Sequence, residues 1–211
     1  MNAYERWAQA PTEETFKSIA ESTDATSHEF LFRAYAAGIE GKTENDFSVK
    51  KDPKLALEHL EKAADGGSVL GKINFGRHLI PQARADPNSK VAKRAEKNLL
   101  EAEQDAKAGR DAKLLLGILY EATGRDVLAQ KKLEEAVQQK SPDAAISLTL
   151  LKIKKMESRL LNTLDELRSV KQNFRESIAL LVQTLKPAPT QPAPKQPAPK
   201  QPAATSPETK A

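Results

Sequence analysis

The sequence predicts an all-α protein: a short α/α solenoid of about three helical hairpins, then a long C-terminal helix and a disordered tail. Ala and Leu supply 55 of the 211 residues whereas Val and Ile supply 15, and β-branched residues favour strands over helices. Small residues recur with a period of about 40 residues in the middle of the chain. Neither Gly nor Pro interrupts residues 143–185. These observations divide the chain into segments 1–26, 27–145, 146–185 and 186–211.

The first segment, residues 1–26, is predicted to be an N-terminal helical arm. Pro11 suits the first position of a helix, because the N–H that it lacks has no partner there. Glu13 would follow in the first turn, next to the positive end of the helix dipole. The next helix is predicted to start at Thr26, which stands three residues before Glu29 in the spacing of a capping box.

The second segment, residues 27–145, is predicted to be a repeat domain. The pattern Phe75-Gly76-x-x-Leu79 follows a helix and a glycine turn, and Leu116-Gly117-x-x-Tyr120 repeats it 41 residues later. A period near 40 residues is typical of stacked helical hairpins, because each hairpin buries its apolar face against its neighbours. The two glycines are therefore expected where adjacent helix backbones approach closely.

These residues resemble the Sel-like repeat family, a subgroup of the tetratricopeptide-type solenoids. The best-matched stretch is Asp52–Leu79, whereas Arg110–Ser141 is more similar to the ordinary tetratricopeptide form. The resemblance covers roughly Ser27–Pro142. It departs at three positions, where the family's small or aromatic residue is replaced: Phe32, His59 and Leu79.

The resemblance implies a surface for binding a protein or peptide, because the first helices of such stacks line a concave face. The positions that the packing motif leaves free there are Glu29, Arg33, Ile73, Arg77, Leu114, Ile118 and Glu121, in rows that also hold Ala36 and Ile80. Arg33 and Arg77 at equivalent heights would clamp a carboxylate or an acidic segment. The alternative is that these arginines are solvated and have no specific role.

The third segment, residues 146–185, is predicted to be one long helix and a coiled coil. Ten of its twelve heptad a and d positions are apolar over nearly six heptads, which is typical of coiled coils. The predicted oligomerisation seam contains Ile153, Leu160, Leu164, Leu167, Lys171, Phe174, Ile178 and Leu181, and extends to Ile146, Leu150, Glu157 and Leu185. Alternatively, Ser141–Met156 closes the solenoid as a capping helix, and only the remainder is free.

The fourth segment, residues 186–211, repeats QPAPK and has neither aromatic nor branched aliphatic side chains. Such a segment cannot offset the entropy lost on ordering, so it is predicted to be disordered and extended. We expect it to act as a spacer, with a ligand for a proline-binding module as the alternative.

Motifs for catalysis or metal binding are weak in this sequence. The chain has no cysteine, which excludes disulfides, cysteine-ligated metals and thiol nucleophiles. Gly66–Lys72 fits seven positions of a phosphate-binding loop, but Ile73 replaces the Ser or Thr that would hold magnesium. A helix end explains the two glycines Gly66 and Gly67 better. His28, His59 and His78 lack metal-ligand spacing. The prediction is a protein that is not an enzyme and has no cofactor.

Charge and hydropathy limit the partners and the compartment. Residues 1–145 carry 22 Lys and Arg against 24 Asp and Glu, so no nucleic-acid partner is expected. No run approaches the ~18 consecutive apolar residues of a membrane span. Met1–Ala10 lacks the order of a signal peptide. A bacterial-type cytosol is therefore predicted, with the periplasm or the exterior as alternatives if a leader was removed or an unmarked export route is used.

The function predicted from these features is a non-enzymatic adaptor or scaffold that grips a protein or peptide in the groove of the solenoid. A homo-oligomer through residues 146–185 would accompany it. The alternatives are a structural or cell-envelope-associated assembly protein that acts through its coiled coil, and a bacterial secreted effector.

Overall fold

The computed structural model describes residues 1–41 and 47–185. Within these ranges the chain is helical apart from its connections and one isolated β-bridge between Ile39 and Val49, which confirms the all-α fold class. The helices are α1 (Ala3–Gln9), α2 (Glu13–Ala20), α3 (Ala25–Ala37), α4 (Pro53–Asp65), α5 (Val69–Ala85), α6 (Lys90–Glu103), α7 (Gly109–Ala122), α8 (Asp126–Gln138) and α9 (Pro142–Thr184). The predicted disorder of residues 186–211 lies outside the described residues.

Two compact units share the chain, Met1–Arg159 and Leu160–Ala211. The first unit contains helices α1 to α8 and the beginning of α9. The described part of the second unit is the remainder of α9 up to Leu185.

Three helical hairpins form the body of the first unit. Helix α3 packs most extensively against α4, α5 against α6, and α7 against α8. The helix–turn–helix stretch recognised in the sequence, α4 and α5, therefore bridges two hairpins. It contains the second helix of one hairpin and the first helix of the next.

A shared Ala-x-x-x-Leu-x-x-Ala motif explains why the second helices pack alike. The motif places three side chains on one face of each helix, and all nine are less than 5% exposed. They are Ala56, Leu60 and Ala63 in α4, Ala95, Leu99 and Ala102 in α6, and Ala129, Leu133 and Ala136 in α8. The predicted repeat included the residues of α4 and α8, whereas the copy in α6 was missed because the sequence was interpreted as degenerate around residues 98–106.

The glycines of the first helices make room for these leucines. A Cβ built on Gly76 would lie 2.6 Å from Cγ of Leu99, and one built on Gly117 would lie 2.6 Å from Cγ of Leu133. The predicted close approach of the helices at both glycines is confirmed. A side chain at either position would force the hairpin apart.

Ion pairs connect each hairpin to the next. The Arg94 guanidinium of α6 donates hydrogen bonds to Glu61 and Asp65 of α4. Lys132 of α8 donates a 2.6 Å hydrogen bond to Glu103 of α6. The second helices of successive hairpins therefore lie side by side, as a solenoid requires.

The N-terminal arm covers the start of the solenoid with aromatic side chains. Trp7 of α1 contacts Phe16 of α2 and Phe30 of α3 at ring-centroid distances of 6.0 and 5.6 Å. Helix α1 was not predicted, although Asn2 and Glu5 form a capping box that the sequence displays.

Two predicted helix starts each move by two residues. Glu13, not Pro11, is the first residue of α2, and Thr12 is its N-cap. Asp24, not Thr26, caps α3, and its carboxylate accepts a 2.9 Å hydrogen bond from the backbone N–H of Ser27. A carboxylate binds the positive end of a helix more strongly than a hydroxyl does, because it carries charge.

The first turns of α9 close the solenoid. Ala144, Leu148 and Leu151 are buried there and belong to the main hydrophobic core. The alternative in which the segment from Ser141 acts as a capping helix is therefore supported. Ile146 and Leu150 remain exposed.

Candidate functional site

Glu29 was expected to line a partner-binding face, and this prediction is wrong. The residue is 7% exposed, and its carboxylate accepts hydrogen bonds from three side chains of the same chain. The donors are the Tyr4 hydroxyl at 3.2 Å, Arg33 Nη2 at 3.2 Å and the Ser68 hydroxyl at 2.9 Å. Glu29 thus ties α1 and the N-cap of α5 to α3. Burial, and then the charge of Glu29, raise the pKa of Tyr4 to about 12.

Ile73 was also expected on the open face, and it lies in the core at 3% exposure. Ile80 of the same rows is buried as well. The physical reason is the position of α5, which packs against α3, α4, α6 and α7. A helix with neighbours on several sides has few free positions, so Ile80 is buried on α5 although Ala36 of the same row is exposed on α3.

The two arginines of the predicted clamp differ in their surroundings. Arg33 pairs with Glu29 and lies over the ring of Tyr4, with 5.4 Å from the guanidinium carbon to the ring centroid. Arg77 is exposed on α5. The guanidinium of Arg33 thus binds Glu29 and Tyr4 of its own chain, whereas Arg77 is exposed to solvent.

A cleft of about 240 Å³ opens between the first hairpin and α5. Phe32 and Ala36 of α3, Leu57 and Leu60 of α4, and His78 of α5 line it. The lining is largely apolar, and the exposed Arg77 is the neighbour of His78 in the sequence.

A second cleft of about 340 Å³ opens between the third hairpin and α9. Ile118 and Glu121 of α7, Leu133 of α8, and Leu150 and Lys154 of α9 are among its lining residues. Lys154 Nζ donates a 2.9 Å hydrogen bond to Glu121 Oε1. The cleft therefore has apolar walls and an ion pair within it.

The two clefts are equivalent places in the repeat. Leu60 and Leu133 occupy the same position of the Ala-x-x-x-Leu-x-x-Ala motif. Each cleft lies between a hairpin and the helix that follows it in the chain, α5 for the first cleft and α9 for the second. In the middle hairpin the buried Ile80 takes the position that Ala36 and Glu121 hold in the others. The predicted residues Ile118 and Glu121 thus lie at a surface opening, and Leu114 is half-buried against the core.

The predicted seam of α9 is exposed. In the first unit Ile153 is exposed. In the second unit Leu160, Leu164, Leu167, Phe174, Ile178 and Leu181 are between 44% and 65% exposed, and Lys171 is exposed too. The homo-oligomer through residues 146–185 stays a prediction from the sequence.

A pair of histidines lies at the packing of α3 against α4. The Nδ1 atoms of His28 and His59 are 3.2 Å apart, and the His59 ring stacks on Tyr35 at 5.6 Å. Burial lowers the pKa of both histidines, and Lys62 lowers both further. Sequence spacing could not reveal this pair, because 31 residues separate its members.

The described residues contain neither a cluster suited to a metal ion nor a helix suited to spanning a membrane. Within residues 1–41 and 47–185, no three His, Asp or Glu side chains gather in a way that could hold a metal ion. No helix in the same ranges combines the length and the apolar character that crossing a bilayer demands.

Comparison with protein-family models, with curated proteins and with solved structures finds no match to this chain.

Proposed function

We propose that this protein is a non-enzymatic adaptor whose first helices bind a segment of another protein. The observation that carries the proposal is the pair of equivalent apolar clefts in the first and third hairpins. A repeat that presents the same opening more than once suits an extended peptide, which offers side chains at regular intervals.

The charges near the clefts define the partner that we propose. Arg77 is exposed on α5 and precedes His78 of the first cleft in the sequence, whereas Lys154 at the second cleft is paired with Glu121. The apolar clefts fit a segment with aliphatic or aromatic side chains, and the exposed Arg77 favours a carboxylate in that segment. The role of the Arg77 guanidinium is to bind a carboxylate of that segment, and Arg33 holds Glu29 instead.

Selection from a random peptide library on the purified full-length protein tests this function. We expect enriched peptides to contain apolar residues together with Asp or Glu. Arg77→Glu should weaken their binding about tenfold or more, which corresponds to about 1.4 kcal/mol. Lys131→Glu is the matched control, because Lys131 is exposed on α8, on a second helix, and its reversal should leave the affinity unchanged.

Two results would contradict the proposal. One is a library that yields no enriched peptide. The other is an equal loss of binding in Arg77→Glu and Lys131→Glu, which would show a general charge effect.

The cytosolic compartment, with the periplasm or the exterior as alternatives, stays a prediction from the sequence.

A further inference from the structure

The apolar seam of α9 has no role in closing the solenoid. The residues of α9 that enter the core are Ala144, Leu148 and Leu151, spaced i, i+4 and i+7 on one face. The seam residues Ile146 and Leu150 lie on a different face and are exposed. Closure of the solenoid therefore does not explain why the heptad a and d positions of α9 are apolar.

The described part of the second unit, residues 160–185, shows the same exposure and contains no buried residue. Its seam residues Leu160, Leu164, Leu167, Phe174, Ile178 and Leu181 all face solvent. Most helical stability comes from packing of an apolar face, and a face left in water forgoes that stabilisation. An apolar row of this length is the surface of a helix that pairs with another helix.

We propose that the occupant of the seam is α9 of a second copy of this chain, running antiparallel. The charges within the seam select this arrangement. Glu157 and Lys171 are its two charged positions, and both are heptad a positions. In a parallel, in-register pair each a position meets its own copy, so Glu157 would face Glu157 and Lys171 would face Lys171.

An antiparallel pair replaces these like-charge contacts with opposite charges. There, a positions pack against d positions of the other helix. In the register that sets Leu164 against Leu167 of the second copy, Lys171 of that copy packs against Leu160. Glu157 is one layer away, about 4.5 Å along the axis for three residues, so the carboxylate and the ammonium group are within reach. The two-fold symmetry makes this pair twice.

The same register uses the whole seam. Leu150 packs against Leu181 of the second copy, Ile153 against Ile178, and Ile146 against Leu185. Every a and d position from 146 to 185 thus gains an opposing side chain, over about 60 Å of helix.

The flanking positions are compatible with this pairing. In an antiparallel pair e positions face e positions, which sets Arg168 beside Leu161 and Lys154 beside Arg175 of the second copy. The second contact joins like charges. Lys154 is already paired with Glu121 in its own chain, which offsets that repulsion at an exposed flank.

Charge exchange in the full chain tests the proposal, with the association constant measured by sedimentation equilibrium. Glu157→Lys or Lys171→Glu alone should weaken the dimer about tenfold or more, because each creates like-charge pairs. The double variant should recover most of the affinity. Glu176→Lys is the matched control, since Glu176 lies at a heptad f position away from the seam, and it should leave the dimer unchanged.

Cysteine crosslinking tests the orientation, because the chain contains no cysteine of its own. A mixture of Leu150→Cys and Leu181→Cys chains should form a disulfide between the two variants, while neither variant alone should crosslink.

Three results would overturn the proposal: a monomer at tens of micromolar protein, crosslinking of each cysteine variant with itself, or a dimer that single charge exchanges leave intact. Each of them concerns the seam alone, because the first cleft, which the Arg77→Glu selection tests, contains no residue of α9.

Discussion

The Cγ atom of Leu133 lies where a side chain at Gly117 would begin, because a Cβ built on Gly117 would be 2.6 Å from it. The same relationship recurs between Leu99 and Gly76. The spacing of the two helices within each of these hairpins is thus set by a leucine of the second helix that packs on the glycine backbone of the first. This contact gives the most direct test of the fold.

Gly117→Ala should destabilise the protein although alanine is the better helix former. Helix propensity alone favours alanine by about 1 kcal/mol, but overpacking a filled contact costs about 1–3 kcal/mol. We expect a net loss in the free energy of unfolding, measured by urea denaturation. Adding Leu133→Ala should make the alanine at 117 tolerable, so the two changes should be non-additive. A more stable Gly117→Ala protein would contradict the observed contact.

Glu29→Ala should destabilise the first unit. It leaves the partly buried hydroxyls of Tyr4 and Ser68 without their acceptor, at a cost of about 1–3 kcal/mol in total, while the exposed Arg33 can turn to solvent. Urea denaturation should show a lower midpoint. The control is Glu58→Ala, at an exposed position of α4, where a change within about 0.5 kcal/mol is expected. Equal effects of the two substitutions would mean that the Glu29 hydrogen bonds contribute nothing.

Acidification should weaken the contact between α3 and α4 through His28 and His59. Burial holds the pKa of both below the ordinary value, and Lys62 acts in the same direction, whereas Asp24 near His28 and Glu58 near His59 oppose it. As the pH falls through about 6.5, the unfolded chain therefore binds protons before the folded chain does. The free energy of unfolding should decrease below pH 6.5.

His59→Phe checks this pH dependence. Phenylalanine keeps an aromatic ring against Tyr35 and removes the titrating partner of His28, so the loss of stability between pH 7.5 and 5 should be smaller than in the unchanged protein. Thermal unfolding at both pH values measures it. The low pKa of Asp24, caused by hydrogen bonds from Ser22, Ser27 and Thr26, matters only below about pH 4. Identical pH profiles would exclude the histidine pair as the cause.

Lys132→Met should loosen the contact between the second and third hairpins. Lys132 and Glu103 are 18% and 10% exposed, with 2.6 Å between Nζ and Oε1, and removing the cation leaves a half-buried carboxylate without its partner. We expect a loss of about 1–3 kcal/mol. Lys17→Met breaks the exposed pair with Glu13 and should produce no measurable change. Hydrogen exchange should locate the effect of Lys132→Met in α6 and α8, and uniform exchange across the chain would contradict the assignment.

Several features of the fold follow from the order of residues. The balance of Ala and Leu against β-branched residues predicted helices, and the 41-residue interval between Gly76 and Gly117 predicted hairpins that touch at those glycines. The heptads after Ile146 predicted a long helix. These predictions hold because they depend on spacing along one helix, which the sequence displays directly.

Contacts between residues distant in the sequence could not be predicted from spacing along one helix. His28 and His59 meet because α3 packs on α4, and no interval within one helix announces that contact. Glu29 and Arg33 are one turn apart on α3, yet the first is buried beneath Tyr4 and Ser68 and the second is exposed. Helical spacing identifies which residues share a face, but another element decides whether that face is covered.

Helix α9 shows most clearly which features the sequence determined and which the tertiary structure decided. Its sequence determined a helix with an apolar row at Ile146 and Leu150. The packing of the third hairpin decided that Leu148 and Leu151, on another face, would enter the core and that the row would stay exposed. Apolar residues on two faces of one helix have the same chemistry, and the shape of the neighbouring hairpin selects the face that it buries.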